Sequence, residues 1–150
     1  MADRTSASIT VAAPLAEVMA VIADFAAYPQ WASGVRSTEV ISRDVAGRGI
    51  RVRFQLDAGV FKDSYVLAYD WDGDTTVRWE LAEAGSVVTA MSGGYLLAGT
   101  GQGTSVTYEL AVDVRIPMLG MMKRRAEKTI IDTALKGLKG RVEAGTGGTT

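Results

Sequence analysis

The sequence contains neither cysteine nor histidine, and both absences narrow the chemistry open to this chain. Without cysteine it can form no disulfide, offers no thiolate nucleophile and has no sulfur ligand for a metal. Without histidine it can have no Ser-His-Asp triad, no histidine zinc site and no imidazole general base. Any catalysis would therefore depend on carboxylates, tyrosine, lysine, arginine or ordered water, and we expect neither a metal nor a cofactor.

Long apolar runs and a strong net charge are also missing. The N-terminus lacks the apolar stretch of a secretory signal, and no apolar run approaches the about eighteen residues that a membrane-spanning helix needs. We therefore expect a cytoplasmic protein without a transmembrane segment, a monomer or a homodimer, with transient membrane-surface contact left open. The formal net charge of −1 creates no overall field that would attract nucleic acid.

The length of 150 residues and the hydrophobic share of 47% fit one globular domain with a substantial core. The sequence shows no internal repeat and no linker, so we predict a single domain over residues 1–144. Residues 145–150 are small and polar, a composition that predicts a disordered tail.

Most of the chain before residue 117 alternates between apolar and polar residues, the pattern of half-buried β-strands. A first strand is predicted over residues 5–12, followed by a helix that opens at Ala13-Pro14 and a helical piece over residues 25–28 that Pro29 should halt. Six further strands are predicted at residues 35–43, 49–56, 61–71, 76–81, 87–97 and 104–116. Their short turns predict an antiparallel meander, and Gly93-Gly94 predicts a bulge or sharp bend that would curl the sheet.

A single long helix is predicted over residues 118–143, with Pro117 where a first-turn proline is tolerated. Apolar residues recur along it at steps of three and four: Leu119, Met122, Ala126, Ile130, Ala134, Leu138 and Val142. A helix of roughly 40 Å could cover the apolar face of a curved sheet. The sequence therefore predicts an α+β fold with the order β-α-α, six β-strands and a final helix.

Four features match a known family in their order and spacing. They are the first strand with Ala13-Pro14-Leu15-Ala16-Glu17-Val18, Asp24 with Tyr28-Pro29-Gln30-Trp31, the turn Gly101-Gln102-Gly103-Thr104, and the closing helix. On these features nearly the whole chain resembles the START-like (SRPBCC) superfamily of polyketide cyclases and dehydrases. The resemblance implies the helix-grip fold, in which a curved antiparallel sheet of about seven strands wraps around a long C-terminal helix.

The resemblance also implies a cavity between the sheet and the helix. We predict that it is lined by Trp31, Phe54, Tyr65, Leu67, Trp79, Tyr108, Met118, Met122, Ala126 and Ile130. Methionine adapts to irregular apolar ligands, and tyrosine and tryptophan can offer hydrogen-bond donors. The alternative is that the same side chains touch each other and fill an ordinary core.

Three other features have weaker functional interpretations. Asp63 is the one carboxylate in phase with an apolar strand face, which makes it a candidate catalytic base, although it could instead lie exposed in a turn. The glycine-rich residues 99–103 precede a strand rather than a helix, so they predict a hairpin turn and not a phosphate loop. The basic segment 123–125 has no interleaved aromatic residues, which favours a solvated helix face over specific nucleic-acid binding.

Proteins that resemble this chain in fold differ widely in function, so the fold alone does not determine which of these functions this chain has. The first hypothesis is binding or carriage of a hydrophobic small molecule, such as a lipid, a quinone or a polyketide-like compound. The alternative is a cyclase or aromatase that folds a poly-β-ketone and polarises its carbonyls through tyrosine, arginine or water. A second alternative is an interaction module that binds a protein or the ribosome through its exterior.

Overall fold

The computed structural model describes residues 4–58, 61–115 and 120–147. In chain order the elements are β1 (Thr5–Val11), α1 (Leu15–Ala23), a 3₁₀ turn (Phe25–Ala27), α2 (Tyr28–Trp31), β2 (Val35–Arg43), β3 (Gly49–Ala58), β4 (Phe61–Asp72), β5 (Thr76–Glu83), β6 (Val88–Thr100), β7 (Gly103–Val114) and α3 (Gly120–Gly147). The predicted turn at Gly59, the strand end at Ile116 and the helix start at Pro117 and Met118 lie outside the described residues.

Seven strands form one antiparallel sheet in the order β1-β7-β6-β5-β4-β3-β2. Strands β2 to β7 form the predicted meander, and β1 returns to pair with β7. Thr100 pairs with Gly103 across a two-residue turn, which confirms the hairpin interpretation of the glycine-rich segment. With α3 packed on one face, the sheet confirms the α+β helix-grip architecture.

Pro29 lies inside a helical segment and does not end one. The 3₁₀ turn runs directly into α2, where Tyr28 has helical angles of φ −52° and ψ −41° and Pro29 occupies the first turn. A first-turn proline costs no intrahelical hydrogen bond, because the N–H of that position would be unpaired in any case. The prediction that Pro29 halts the helix is therefore wrong, and α2 ends at Trp31.

Gly93 and Gly94 do not form a bulge. The pairing of β6 with β7 runs through both residues without a shift, and the irregularity lies instead between Val88 and Ala90. Glycine is required at position 93 because of close approach: a Cβ there would lie 2.9 Å from Cζ2 of Trp79. The bulge prediction is therefore wrong, and the missing side chain makes room for an indole.

Helix α3 packs against β1, β7 and α1. Its buried residues are Glu127, Ile131, Leu135, Leu138 and Val142. The predicted apolar stripe agrees at Leu138 and Val142 but fails toward the N-terminus, where Met122 and Ile130 are exposed. A strict four-residue step advances about 40° around a helix of 3.6 residues per turn, so a stripe drawn at that step gradually leaves the buried face.

The C-terminal end of α3 extends further than its composition indicates. The helix continues to Gly147, so residues 145–147, which the sequence assigned to the tail, are helical. Extending an existing helix adds a backbone hydrogen bond for each residue without a new nucleation cost. Residues 148–150 lie outside the described residues.

Glu127 is a buried carboxylate that ties α3 to the sheet, and the sequence pattern did not reveal it. Its side chain is 1% exposed. Oε1 accepts a hydrogen bond from Thr5 Oγ1 at 2.7 Å, and Oε2 accepts one from the N–H of Val112 at 2.8 Å. Val112 lies beyond Leu110, the last residue of β7 paired with β1 in the described part of the chain. Glu127 therefore satisfies a backbone donor where that described pairing has ended.

Candidate functional site

A cavity of about 900 Å³ lies between the sheet and the N-terminal half of α3. Strands β3 to β7 form its wall, and residues 31–35, from the end of α2 to the start of β2, close one side. The predicted residues that border it are Trp31, Phe54, Tyr65, Leu67, Trp79, Tyr108, Ala126 and Ile130. Met122 is not among the lining residues and is 56% exposed. Met118 lies outside the described residues.

Aromatic rings form the floor of the cavity. Trp79 lies at the centre, with ring centroids 5.7 Å from Tyr69, 5.5 Å from Tyr95 and 5.5 Å from Tyr108. Each of these four side chains is less than a tenth exposed. Tilted and edge-to-face pairs at such distances attract one another beyond simple burial, so the floor is a fixed aromatic surface.

Tyr69, Tyr95, Thr133 and Ala134 also line the cavity, although the sequence reasoning did not assign them to it. The signal for Tyr69 was present, since it shares the phase of Tyr65 along β4. Ala134 belonged to the predicted apolar stripe of α3. Periodicity alone cannot tell whether a residue of that stripe faces the cavity or packs directly against the sheet.

Four of the tyrosines that line the cavity have hydroxyls without a hydrogen bond to any part of the chain that the structure describes: Tyr65, Tyr69, Tyr95 and Tyr108. Tyr28 differs, because its hydroxyl donates to the carbonyl oxygen of Ile22. Burial raises the pKa of each of these five phenols above the ordinary value of 10.0. At neutral pH they are therefore uncharged hydroxyl groups and not phenolate bases.

The indole N–H groups of Trp31 and Trp79 are in the opposite situation. Both nitrogens are enclosed by protein atoms, and neither has an acceptor among the described residues. A buried donor without a partner costs about 1–3 kcal/mol. The indole N–H groups therefore cannot serve as hydrogen-bond donors to a ligand, as the sequence had suggested, and the two tryptophans contribute apolar surface to the wall. The accessible donors are the tyrosine hydroxyls.

Asp63 borders one end of the cavity, and its environment is unsuited to a general base. Oδ1 accepts hydrogen bonds from the N–H groups of Ser64 at 2.9 Å and Ser86 at 2.7 Å, and Oδ2 from Val87 at 3.1 Å and Val88 at 2.8 Å. Partial burial acts to raise the pKa of Asp63, but these four donors together outweigh it and hold the pKa below its usual 3.8. Instead of facing solvent in a turn, Asp63 fastens the β5–β6 loop to β4.

The N-terminal end of α3 brings one ion pair to the cavity edge. Lys123 Nζ donates to Asp113 Oδ1 at 2.7 Å, and both residues line the cavity. The hydrogen bond to Asp113 raises the pKa of Lys123. Part of the predicted basic segment is therefore already neutralised by a residue of β7.

Within the described ranges, no group of three or more acidic side chains is placed to hold a metal ion. In the same part of the chain, no helix combines the length and apolar character needed to cross a bilayer.

Comparison with known proteins identifies the family. A family model described as polyketide cyclase/dehydrase and lipid transport matches residues 2–143. The chain belongs to this family. A comparison with curated proteins finds no match.

Several solved structures share the fold of this chain. A START superfamily protein from Mycobacterium smegmatis superposes with a TM-score of 0.86 at 23% identity, covering 93% of this chain and 97% of the other. A protein from Thermus thermophilus gives 0.77 at 25% identity, covering 95% and 99%. The Zhui aromatase/cyclase from a Streptomyces species gives 0.75 at 16% identity, covering 96% and 95%.

Proposed function

We propose that this protein binds an apolar small molecule, such as a lipid, a quinone or a polyketide-like compound, in the cavity between the sheet and α3. The cavity itself carries the proposal: its volume of about 900 Å³ lies in the range of ligand sites, and its walls are mainly aromatic and aliphatic. Apolar contact would supply about 25 cal/mol per Å² of buried surface before the costs of association. Membership of the family supports the same class of ligand.

A cyclase or aromatase acting on a poly-β-ketone is the alternative. The likeness in fold to an aromatase/cyclase supports it, as do tyrosine hydroxyls that could polarise carbonyl groups. Asp63 is a poor choice of base, because four N–H groups already bind its carboxylate. Such an enzyme would need another proton acceptor. Cyclisation of a poly-β-ketone faster than the uncatalysed reaction would favour this alternative.

The interaction-module alternative has less support, because Lys123 of the basic segment is paired with Asp113. Several finer statements remain predictions: one domain over residues 1–144, a cytoplasmic location, a monomeric or homodimeric state and transient contact with a membrane surface. Native mass spectrometry of gently purified protein, followed by denaturing extraction, would identify a bound compound and report the oligomeric state.

The binding proposal can be tested by filling the cavity. Ala134 lines it from α3, so Ala134→Phe places a phenyl ring in the ligand volume. We expect the neutral dye N-phenylnaphthylamine to become fluorescent with the unaltered protein and to bind about tenfold more weakly to Ala134→Phe, since about 1.4 kcal/mol of contact would be lost.

Lys136→Phe is the matched control, because Lys136 is an exposed residue of the same helix. This variant should bind the dye like the unaltered protein, and circular dichroism should show that both variants are folded. Equal affinity of all three proteins would contradict the proposed site.

A further inference from the structure

The cavity has an unusual distribution of hydrogen-bonding groups. Tyr65, Tyr69, Tyr95 and Tyr108 line it, and their hydroxyls have no hydrogen bond to the described part of the chain and are not among its enclosed, unpaired polar atoms. A phenol normally finds a partner when it is buried. Four accessible hydroxyls on one apolar wall therefore favour a ligand that carries oxygen atoms over a pure hydrocarbon.

The charge state of these groups decides what they can offer. Burial raises the pKa of all four phenols, so they remain protonated at neutral pH. A protonated phenol donates a hydrogen bond to a carbonyl or hydroxyl oxygen without bringing a charge to neutralise. The wall is therefore suited to neutral acceptors.

Charged side chains at the cavity disfavour an anionic ligand. The charged residues in its described lining are Asp57, Asp63, Asp113 and Lys123. Lys123 is the single cation among them, and it is held by Asp113 at 2.7 Å. A buried carboxylate without a cationic partner is strongly disfavoured. An entering carboxylate would have to share Lys123 with Asp113 or remain unpaired beside acidic residues.

From these observations we infer that the cavity selects a neutral aromatic ketone or quinone, whose carbonyl oxygen accepts a hydrogen bond from the tyrosine hydroxyls, and that it discriminates against carboxylates such as fatty acids. The ring cluster around Trp79 supplies the flat surface on which such a ligand would stack. The inference rests on the proposed function, because it specifies the ligand of the same cavity.

Three probes of one shape can test it by displacement of N-phenylnaphthylamine: acetylanthracene, isopropenylanthracene and anthracenecarboxylate, all substituted at the same ring position. The first carries a carbonyl, the second replaces its oxygen by a methylene group, and the third is ionised at neutral pH. We expect the ketone to bind about three- to tenfold more tightly than the hydrocarbon, the worth of one neutral hydrogen bond. The carboxylate should bind at least about tenfold more weakly than the ketone.

Tyrosine-to-phenylalanine variants then identify the donor, because they remove the hydroxyl and keep the ring. Tyr65→Phe, Tyr69→Phe, Tyr95→Phe and Tyr108→Phe are made singly, and at least one should abolish the preference for the ketone over the hydrocarbon. Tyr28→Phe is the control, since that hydroxyl is already bonded to Ile22 and its loss should leave the preference unchanged.

The outcomes separate this inference from the proposed function. If the dye and all three probes fail to bind, both are wrong. If the probes bind but the carboxylate matches the ketone, or none of the four cavity variants changes the preference, apolar binding stands and the inference is overturned.

Discussion

The position of the Trp79 indole depends on the absence of a side chain at residue 93. A Cβ on Gly93 would lie 2.9 Å from Cζ2 and 3.0 Å from Cε2 of Trp79, and 2.5 Å from the carbonyl oxygen of Glu109. The Trp79 side chain could rotate away from the added Cβ. The Glu109 carbonyl could not, because it belongs to the backbone of β7 and can move only with the strand. The shape of the cavity floor is therefore set partly by a glycine in the wall.

Substitution of Gly93 should be costly. We expect Gly93→Ala to lower the free energy of unfolding by about 1–3 kcal/mol, the usual cost of overpacking, as measured by urea denaturation. Gly99→Ala in the same strand is the control, because a Cβ at Gly99 would have no atom within 4 Å. It should change stability by less than about 0.5 kcal/mol. Equal stability of the two variants would refute the close-packing argument.

The tyrosine residues show what can be read at the residue scale. The phase along a strand placed Tyr65 and Tyr108 on the apolar face where the resemblance implied a cavity, and both residues border the cavity. Their contact with a ligand stays a prediction. The sequence could not show that their hydroxyls lack a protein partner, because that depends on every neighbouring strand. Tyr28 differs because its hydroxyl donates a hydrogen bond to the carbonyl oxygen of Ile22, and this difference arises from tertiary packing.

At the scale of elements, α3 has two separate functions along its length. Its C-terminal half packs on α1 and the sheet through Leu138 and Val142, whereas Ala126 in its N-terminal half and Ala134 at its middle border the cavity. Glu127 fixes that half to β1 and β7. The attachment is a pair of hydrogen bonds to one carboxylate, so it can be removed by a single substitution.

Loss of Glu127 should loosen the cavity side of the helix. Glu127→Ala would leave the N–H of Val112 and the hydroxyl of Thr5 without their acceptor, and because both bonds are part-buried we expect a loss of about 1 kcal/mol, at the lower end of the cost for a buried donor. We expect lower global stability and faster amide hydrogen exchange over residues 120–131, measured by mass spectrometry.

Glu143→Ala serves as the comparison within the same helix. Glu143 also accepts a backbone hydrogen bond, from Ala12 at 2.9 Å, but this contact is exposed to solvent. The variant should leave exchange over residues 120–131 unchanged. If both variants exchanged alike in this segment, Glu127 would not be the attachment.

At the scale of the whole molecule, Asp63 makes the free energy of unfolding depend on pH in the acid range. Four backbone N–H groups hold the pKa of its folded-state carboxyl below 3.8, although partial burial opposes them. A group with a lowered folded-state pKa contributes its full stability above the unfolded pKa and loses it as the pH falls through the folded value. The contribution of Asp63 should therefore be present at neutral pH and disappear below 3.8.

Asp63→Asn should test this dependence. We expect the variant to be less stable by about 1–2 kcal/mol at neutral pH, since its amide accepts fewer hydrogen bonds and partial exposure weakens each of them. The difference from the unaltered protein should shrink as the pH is lowered below 3.8 in a series of urea denaturations. Asp70→Asn, at an exposed position of the same strand, should show no comparable difference. A difference independent of pH would contradict the role assigned to Asp63.

The sequence by itself determined the elements and their order. Alternation of period two predicted seven strands, and the apolar steps of three and four predicted the final helix, because both patterns are local consequences of backbone geometry. The four matched features further implied a sheet wrapped around that helix with a cavity between them. Among the ten predicted lining residues, the strand residues Phe54, Tyr65, Leu67, Trp79 and Tyr108 border this cavity, because their phase fixed the face of the sheet on which they lie. Contact of these residues with a ligand stays a prediction.

Tertiary structure decided which groups remain available inside. Glu127 meets Thr5 from 122 residues away, and Asp63 binds the N–H of Val88 from 25 residues away. Neither contact has a local signature, because each joins segments that only the curvature of the sheet and the rotation of α3 bring together. The same packing bonded the hydroxyl of Tyr28 and left those of four other tyrosines open to the cavity, since hydrogen-bond satisfaction depends on neighbours distant in the chain.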